Sequence, residues 1–343
     1  MNKKDKNHKY KQFVSIITPT YNRADLLNKL IESVCCQIFQ DWELIIVDDR
    51  STDDTAAVVK KYQKKDSRVK YFINLRSKGP AGARNCGIMR ARGNFIAFLD
   101  SDDEWDENYL EDSIKALQAE DTDICLSLFY RERNGAIEKK YEGIARKMIT
   151  QLSPFKKEKA FYFFNKNICD FMVKNWAFFY HLNAMVIRKR AISVIGMFNE
   201  KLWGTEDFEF VFRALLHYDR FCLLNNYYYI NHQSEDSLVN FDRGYFCDAK
   251  VINRLAIHKQ YEIKMLKTMQ GEIKKSKTTL DKKECTNKIK QHIGQEYYYL
   301  GSLVRRVNLI RALRYIMISL TYGCNRLKIK QLALFLKPGY RQK

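Results

Sequence analysis

The run Phe95-Ile96-Ala97-Phe98-Leu99 ends in Asp100-Ser101-Asp102-Asp103, and this junction limits the fold more than any other stretch of the chain. An apolar run without a polar break reads as a strand buried on both faces. Such a strand belongs in a sheet covered by helices. Three carboxylates at its carboxyl end repel one another unless a cation lies among them, and hard carboxylate oxygens suit Mg2+ or Mn2+. In open α/β sheets, ligands collect at that same edge. Aspartates there can also simply cap the next helix, so the rest of the chain has to decide.

The segments before it repeat one theme. Val14–Thr18, Glu43–Val47 and Val69–Ile73 read as short strands, and each is followed by a helical pattern. The helices are expected over Ala24–Gln37, from the Ser51-Thr52-Asp53-Asp54 capping run to about Lys64, and from the Gly79-Pro80-Ala81-Gly82 turn to about Ala91. A helix from about Glu107 to Ala119 and a strand at Asp123–Leu126 follow the acidic cluster. Successive βα units predict a Rossmann-like, mostly parallel sheet with right-handed crossovers. Residues 130–182 carry no clear period. Beyond them, strands are expected at Asn183–Ile187, Phe221–Leu224 and Tyr227–Ile230, and a helix at Thr205–His217. From about Gly244 the pattern is helical and basic, with breaks expected near Gly271, Gly294 and Gly323.

Chemistry gathers where the predicted strands end. Pro19-Thr20-Tyr21-Asn22 closes the first, Asp48-Asp49 the second, and Gly82-Ala83-Arg84-Asn85 opens the helix after the third. Tyr21 can stack on a base, Asp49 can accept from a ring N–H, and Arg84 can hold a carbonyl or phosphate oxygen. A cation at the acidic cluster can bridge two phosphates. One sheet edge therefore looks built for a nucleotide diphosphate.

These motifs, in this order and spacing, resemble the family-2 nucleotide-sugar glycosyltransferases of GT-A fold, bacterial surface-glycan type. The resemblance is dense over residues 13–126 and weaker to about 238. It implies a GT-A domain over 13–240, with a nucleotide-binding half (13–126) and an acceptor half (127–240). A basic tail (1–12) would precede it, and a basic helical C-terminal region (241–343) would follow. It further implies that Pro19, Tyr21 and Asp49 hold the uracil of a UDP-sugar and that Arg84 contacts the nucleotide or its phosphates. Asp100, Asp102 and Asp103 would lie at the ribose and the metal, Mn2+ or Mg2+, with His232 as a further ligand. Asp207, in Gly204-Thr205-Glu206-Asp207, resembles the family's catalytic base. The implied reaction is an inverting, metal-dependent sugar transfer to a hydroxyl of a glycan or lipid-linked oligosaccharide in surface polysaccharide synthesis. The alternatives are a polyprenyl-phosphate glycosyltransferase and a non-catalytic nucleotide-sugar-binding protein.

Some residues draw a plainer expectation. Glu209 and Arg213 stand at i, i+4 and read as a surface ion pair. Phe161-Tyr162-Phe163-Phe164 and Trp176-Ala177-Phe178-Phe179-Tyr180 read as helical core more than as sugar-stacking platforms. Nine cysteines, with no Cys-x-x-Cys, read as reduced thiols in a cytoplasmic protein. The formal charge is +20, and residues 250–343 hold 22 Lys and Arg against 5 Asp and Glu. That tail carries no reader motif for nucleic acid. Segments 245–270 and 303–336 mix the charge with apolar residues at helical spacing, which predicts contact with an anionic surface on the inner face of the plasma membrane.

Overall fold

A computed structural model describes residues 13–133, 135–139, 141–175, 180–232, 249–277, 280–304 and 308–323. The first elements alternate as the periodicity requires: β1 (Val14–Thr20), α1 (Leu27–Cys35), β2 (Trp42–Asp48), α2 (Thr55–Lys65), β3 (Val69–Ile73), α3 (Pro80–Arg90) and β4 (Phe95–Phe98). Then come β5 (Glu104–Trp105), α4 (Tyr109–Ala119), β6 (Ile124–Arg133), β7 (Ala136–Glu138), α5 (Glu142–Leu152), β8 (Lys156–Lys157), β9 (Phe161–Asn165) and α6 (Ile168–Asn175). β10 (Met185–Arg188), α7 (Ile192–Ile195), α8 (Glu206–His217) and β11 (Arg220–His232) complete the first of two compact units.

The sheet order is β3-β2-β1-β4-β10-β6-β11-β9-β8. β3, β2, β1 and β4 are parallel, so the ends of β1, β2 and β4 share one edge. The fold is α/β of GT-A type. The succession of βα units continues from β4 through α4 to β6, which runs in the same direction as β4, but the two are not neighbours. β10 enters antiparallel between β4 and β6, through Ile96–Ile187 and Cys125–Val186 pairs. The sheet is mostly parallel over this half, as expected, and β10 is a neighbour that periodicity does not give, because it fixes a strand's existence and not its pairing. Two further readings change. Phe161–Phe164 is strand rather than helix, with Phe163 and Phe164 sealed against β11. The two short strands expected at 221–230 are one continuous β11, interrupted by register shifts.

Burial explains the apolar strands. Ile16, Ile46, Phe98 and Leu99 are closed off on both faces. Gly87 lets α3 settle against β1, since a Cβ there would stand 2.4 Å from Ile17 Cγ2.

The second unit contains α9 (Ala249–Lys275), α10 (Lys282–Val304) and α11 (Leu309–Thr321). Gly271 and Gly294 lie inside α9 and α10 and do not break them. Gly294 instead sits against Tyr322 and the Ser319 carbonyl, and a Cβ on Gly301 would meet Ile316 at 2.6 Å. Gly294 and Gly301 let helices approach, a role that sequence alone does not separate from helix breaking. α11 buries Ala312 and Ile316 and exposes Ile310, Arg311, Arg314 and Met317. No helix among the described residues is long and apolar enough to cross a membrane. Residues 1–12, Trp176–Phe179 and the basic segment around 327–337 lie outside the described residues.

Candidate functional site

A cavity of about 500 Å3 opens at the shared strand edge. β1 contributes Pro19 and Thr20 and is followed by Tyr21. Asp49 follows β2, Arg84 lies on α3, the acidic cluster follows β4, and Glu206 and Asp207 open α8. All the residues expected to form the site line this one cavity, His232 included.

The two lips differ in exposure. Tyr21 is 45% exposed, with Lys78 4.9 Å above its ring centroid. Asp49 is buried. Its oxygens accept from Asn74 Nδ2 and the Gly79 backbone N–H, both at 2.7 Å. Asp49 thereby fixes the turn that leads into α3. Gly79 has φ +113°, and Trp203 lies so close that a Cβ would meet its ring at 2.6 Å. Only glycine fits both constraints. Behind that lip, Glu200 accepts from Arg76, Ser77 and Asn85. Partial burial pushes the Glu200 carboxyl up, but those donors outweigh it and bring it down to about 2.

Arg84 is the buried centre. It is 4% exposed, and it donates to Asp100 Oδ1 at 2.7 Å and Glu206 Oε1 at 2.9 Å. Each terminal nitrogen therefore gives one bond to a protein acid, while Arg84 also lines the cavity. Its Nε is buried without a partner among the described residues. Burial pushes the Asp100 carboxyl up, yet Arg84 and then His181 hold it below the ordinary range.

The three expected metal ligands separate. Asp102 has a half-buried carboxylate on the cavity, 4.0 Å from Arg23. Burial and then the neighbouring Asp100 push it up. Asp103 is different. Its Oδ2 accepts from Asn183 at 2.6 Å and Tyr229 Oη at 2.6 Å, and its Oδ1 from the His232 N–H at 3.0 Å. The ring nitrogens of His232 lie 2.5 Å from Glu132 and 2.9 Å from Glu104. Asp103 and the His232 ring thus tie β11 to the acidic turn. No group of three His, Cys, Asp or Glu side chains among the described residues forms a closed metal site.

At α8, Thr205 precedes the helix but its hydroxyl makes no capping bond and is buried without a partner among the described residues. Asp207 Oδ1 accepts from the Phe208 N–H at 2.8 Å. Burial pushes Asp207 up, against the pull of Arg84. The helix dipole alone predicts the opposite sense; desolvation is the larger effect here. Glu209 and Arg213, expected at the surface, are buried. Arg213 donates to Glu209 at 2.6 Å and to the carbonyls of Ile195 and Met197, anchoring α7 to α8. Sequence patterning does not reveal His181, which lines the cavity 3.3 Å from Tyr229 Oη. It lies in the stretch without a period, so no signal marked it.

The pattern described as Glycosyl transferase family 2 matches residues 15–194, over half of the chain. The chain belongs to that family. This glycosyltransferase is 51% identical over 92 residues to the GalNAc(5)-diNAcBac-PP-undecaprenol beta-1,3-glucosyltransferase of Campylobacter jejuni, which is 26% of this chain and 30% of that protein. It is 40% identical over 126 residues to the UDP-Glc:alpha-D-GlcNAc-diphosphoundecaprenol beta-1,3-glucosyltransferase WfaP of Escherichia coli, covering 37% of this chain and 49% of that protein. The matched part thus spans about a third to a half of the length of these curated relatives. In fold, the glycosyltransferase is similar to S. aureus TarS, with a TM-score of 0.62 at 18% identity over 93% of this chain and 50% of that one. It is also similar to the mannosyltransferase PcManGT from Pyrobaculum calidifontis, solved with GDP-Man and Mn2+, with a TM-score of 0.52 at 16% identity over 96% of this chain and 81% of that one.

Proposed function

We propose that this glycosyltransferase moves a sugar from a UDP-sugar to a hydroxyl of a lipid-linked glycan, with inversion, in the synthesis of a bacterial surface polysaccharide. The single observation that carries the reading is that Asp102 and Asp207 face one cavity, with Arg84 holding Asp100 and Glu206 between them. Pro19, Tyr21 and Asp49 take the base, and Asp49 also fixes the lip beside it. Asp102 holds the cation. A single half-buried carboxylate suits Mn2+ or Mg2+, because these ions commonly complete their shell with substrate phosphates and water. Bound at Asp102, such an ion would supply positive charge to offset that of the departing diphosphate. Asp207 takes the acceptor proton as the hydroxyl attacks, and its raised pKa suits that task.

The names of the two curated relatives support glucose as the first donor to test and a diphosphate-linked lipid as the acceptor's anchor. With purified protein and Mn2+, UDP release is expected from UDP-glucose ahead of GDP- or dTDP-sugars. Release only from a GDP- or dTDP-sugar would overturn the base pocket at Tyr21 and Asp49.

A cytoplasmic protein at the inner membrane face fits such an acceptor. The exposed Ile310, Arg311, Arg314 and Met317 of α11 combine apolar reach with positive charge. The protein is expected to sediment with vesicles rich in anionic lipid at low salt, and to be released as salt rises. Equal sedimentation with neutral vesicles would remove the electrostatic part of this reading.

A further inference from the structure

A second cavity, of about 550 Å3, opens between α5 and the paired β6 and β11. Its origin is a fault in the ladder. From Leu223 to Tyr227 β11 advances four residues, while β6 advances only from Leu126 to Leu128. The surplus chain leaves the pairing, and Asn225 and Asn226 stand exposed at the rim. Irregularities of this kind re-aim side chains and recur beside functional sites.

Tyr227 is held by a stacked Tyr130, with centroids 4.7 Å apart, and by Lys139 4.7 Å from its ring centroid. Its hydroxyl is buried at the cavity wall with no hydrogen-bond partner among the described residues. A buried phenol without a partner costs free energy unless a ligand supplies one. The floor is apolar, made by Leu128, Ala145 and Ile149. The guanidinium at the mouth, Arg146, already has its counter-charge in Glu142 at 2.6 Å. An anion would have to compete with that carboxylate. An apolar floor facing amides and an unsatisfied hydroxyl fits a pyranose ring, whose C–H face is apolar and whose edge donates and accepts.

β11 runs from Tyr227 to Asn231 and His232, which line the first cavity. Four strand residues span roughly 13 Å, on the order of a short oligosaccharide. We infer that the second cavity holds a neutral hexopyranose unit of the acceptor glycan, set back from the sugar that receives the transfer. This rests on the acceptor being a glycan, as proposed above.

The probe is the lipid-linked oligosaccharide fraction of the source cell's membranes, used whole and after trimming to the sugar next to the diphosphate. Tyr227→Phe removes one oxygen, and Thr150→Trp fills the rim. Each is expected to raise KM for the whole acceptor about five-fold, the scale of one lost hydrogen bond. KM for the trimmed acceptor, UDP-sugar hydrolysis and the melting temperature should stay at wild-type values. An unmoved KM for the whole acceptor in both variants overturns the inference. So does an equal rise for both acceptors, or a rise confined to Arg146→Gln that salt abolishes, which would mark an anion site. Loss of UDP-sugar hydrolysis in the wild type would strike the proposed function instead.

Discussion

Replacing Asp207 with Asn is expected to lower the transfer rate by about 10²–10⁴-fold, the usual loss when a positioned base is removed, while UDP stays bound. The change is nearly isosteric. It leaves the Phe208 N–H with an acceptor, so α8 keeps its first turn. It also removes a carboxylate that stands near Arg84, which still holds Asp100 and Glu206. The loss should therefore fall on kcat and not on folding. A second signature comes from pH. Burial raises the Asp207 pKa, and only the deprotonated form can take a proton. Activity should accordingly fall as pH drops through a midpoint above about 3.9, the ordinary aspartate value. The pH profile of kcat/KM checks this, and the limb should vanish from the residual activity of Asp207→Asn. Full activity in that variant would end the role assigned to Asp207.

Replacing Arg84 with Met is expected to cost about 3–5 kcal/mol of stability, as when one partner of a buried ion pair is deleted. Arg84 and the side chain of Glu206 are almost sealed from solvent, and the Asp100 side chain is about a quarter exposed. Without the guanidinium, two carboxylates remain in a poorly hydrated space, one at the acidic turn and one at the start of α8. Lysine cannot replace it, because one ammonium does not reproduce a fork that reaches two acids in fixed directions. Urea denaturation should show a lower midpoint for Arg84→Met and for Arg84→Lys. A midpoint equal to wild type would mean that the two acids find water or protons without penalty.

The parallel half of the sheet was legible because β1, β2 and β4 are buried along their length and its strands alternate with amphipathic helices. Asp49, Asp102 and Asp207 were legible because each follows a strand or opens a helix. What the chain concealed was partnership. Nothing in the spacing of Arg84 says that its fork is taken by residues 16 and 122 positions away. Asp103 and His232 have the composition of metal ligands, and the spacing does not show that Asp103 also accepts from Tyr229 and from the His232 N–H on β11 while the His232 ring faces Glu104 and Glu132. Glu209 and Arg213 have the spacing of a surface pair, but α7 covers them. Charge and period can be read from one chain. Which groups quench one another depends on the long-range contacts of the fold.

The central claim is that a nucleotide diphosphate and a cation meet at Asp102 in the cavity that Asp207 also faces. Calorimetric titration of UDP into the wild type, Asp102→Asn and Asp207→Asn, each with and without Mn2+, tests it most directly. Mn2+ should strengthen UDP binding to the wild type and to Asp207→Asn, and should have little effect on Asp102→Asn. Equal Mn2+ dependence in all three proteins, or no UDP binding in any, would contradict the account.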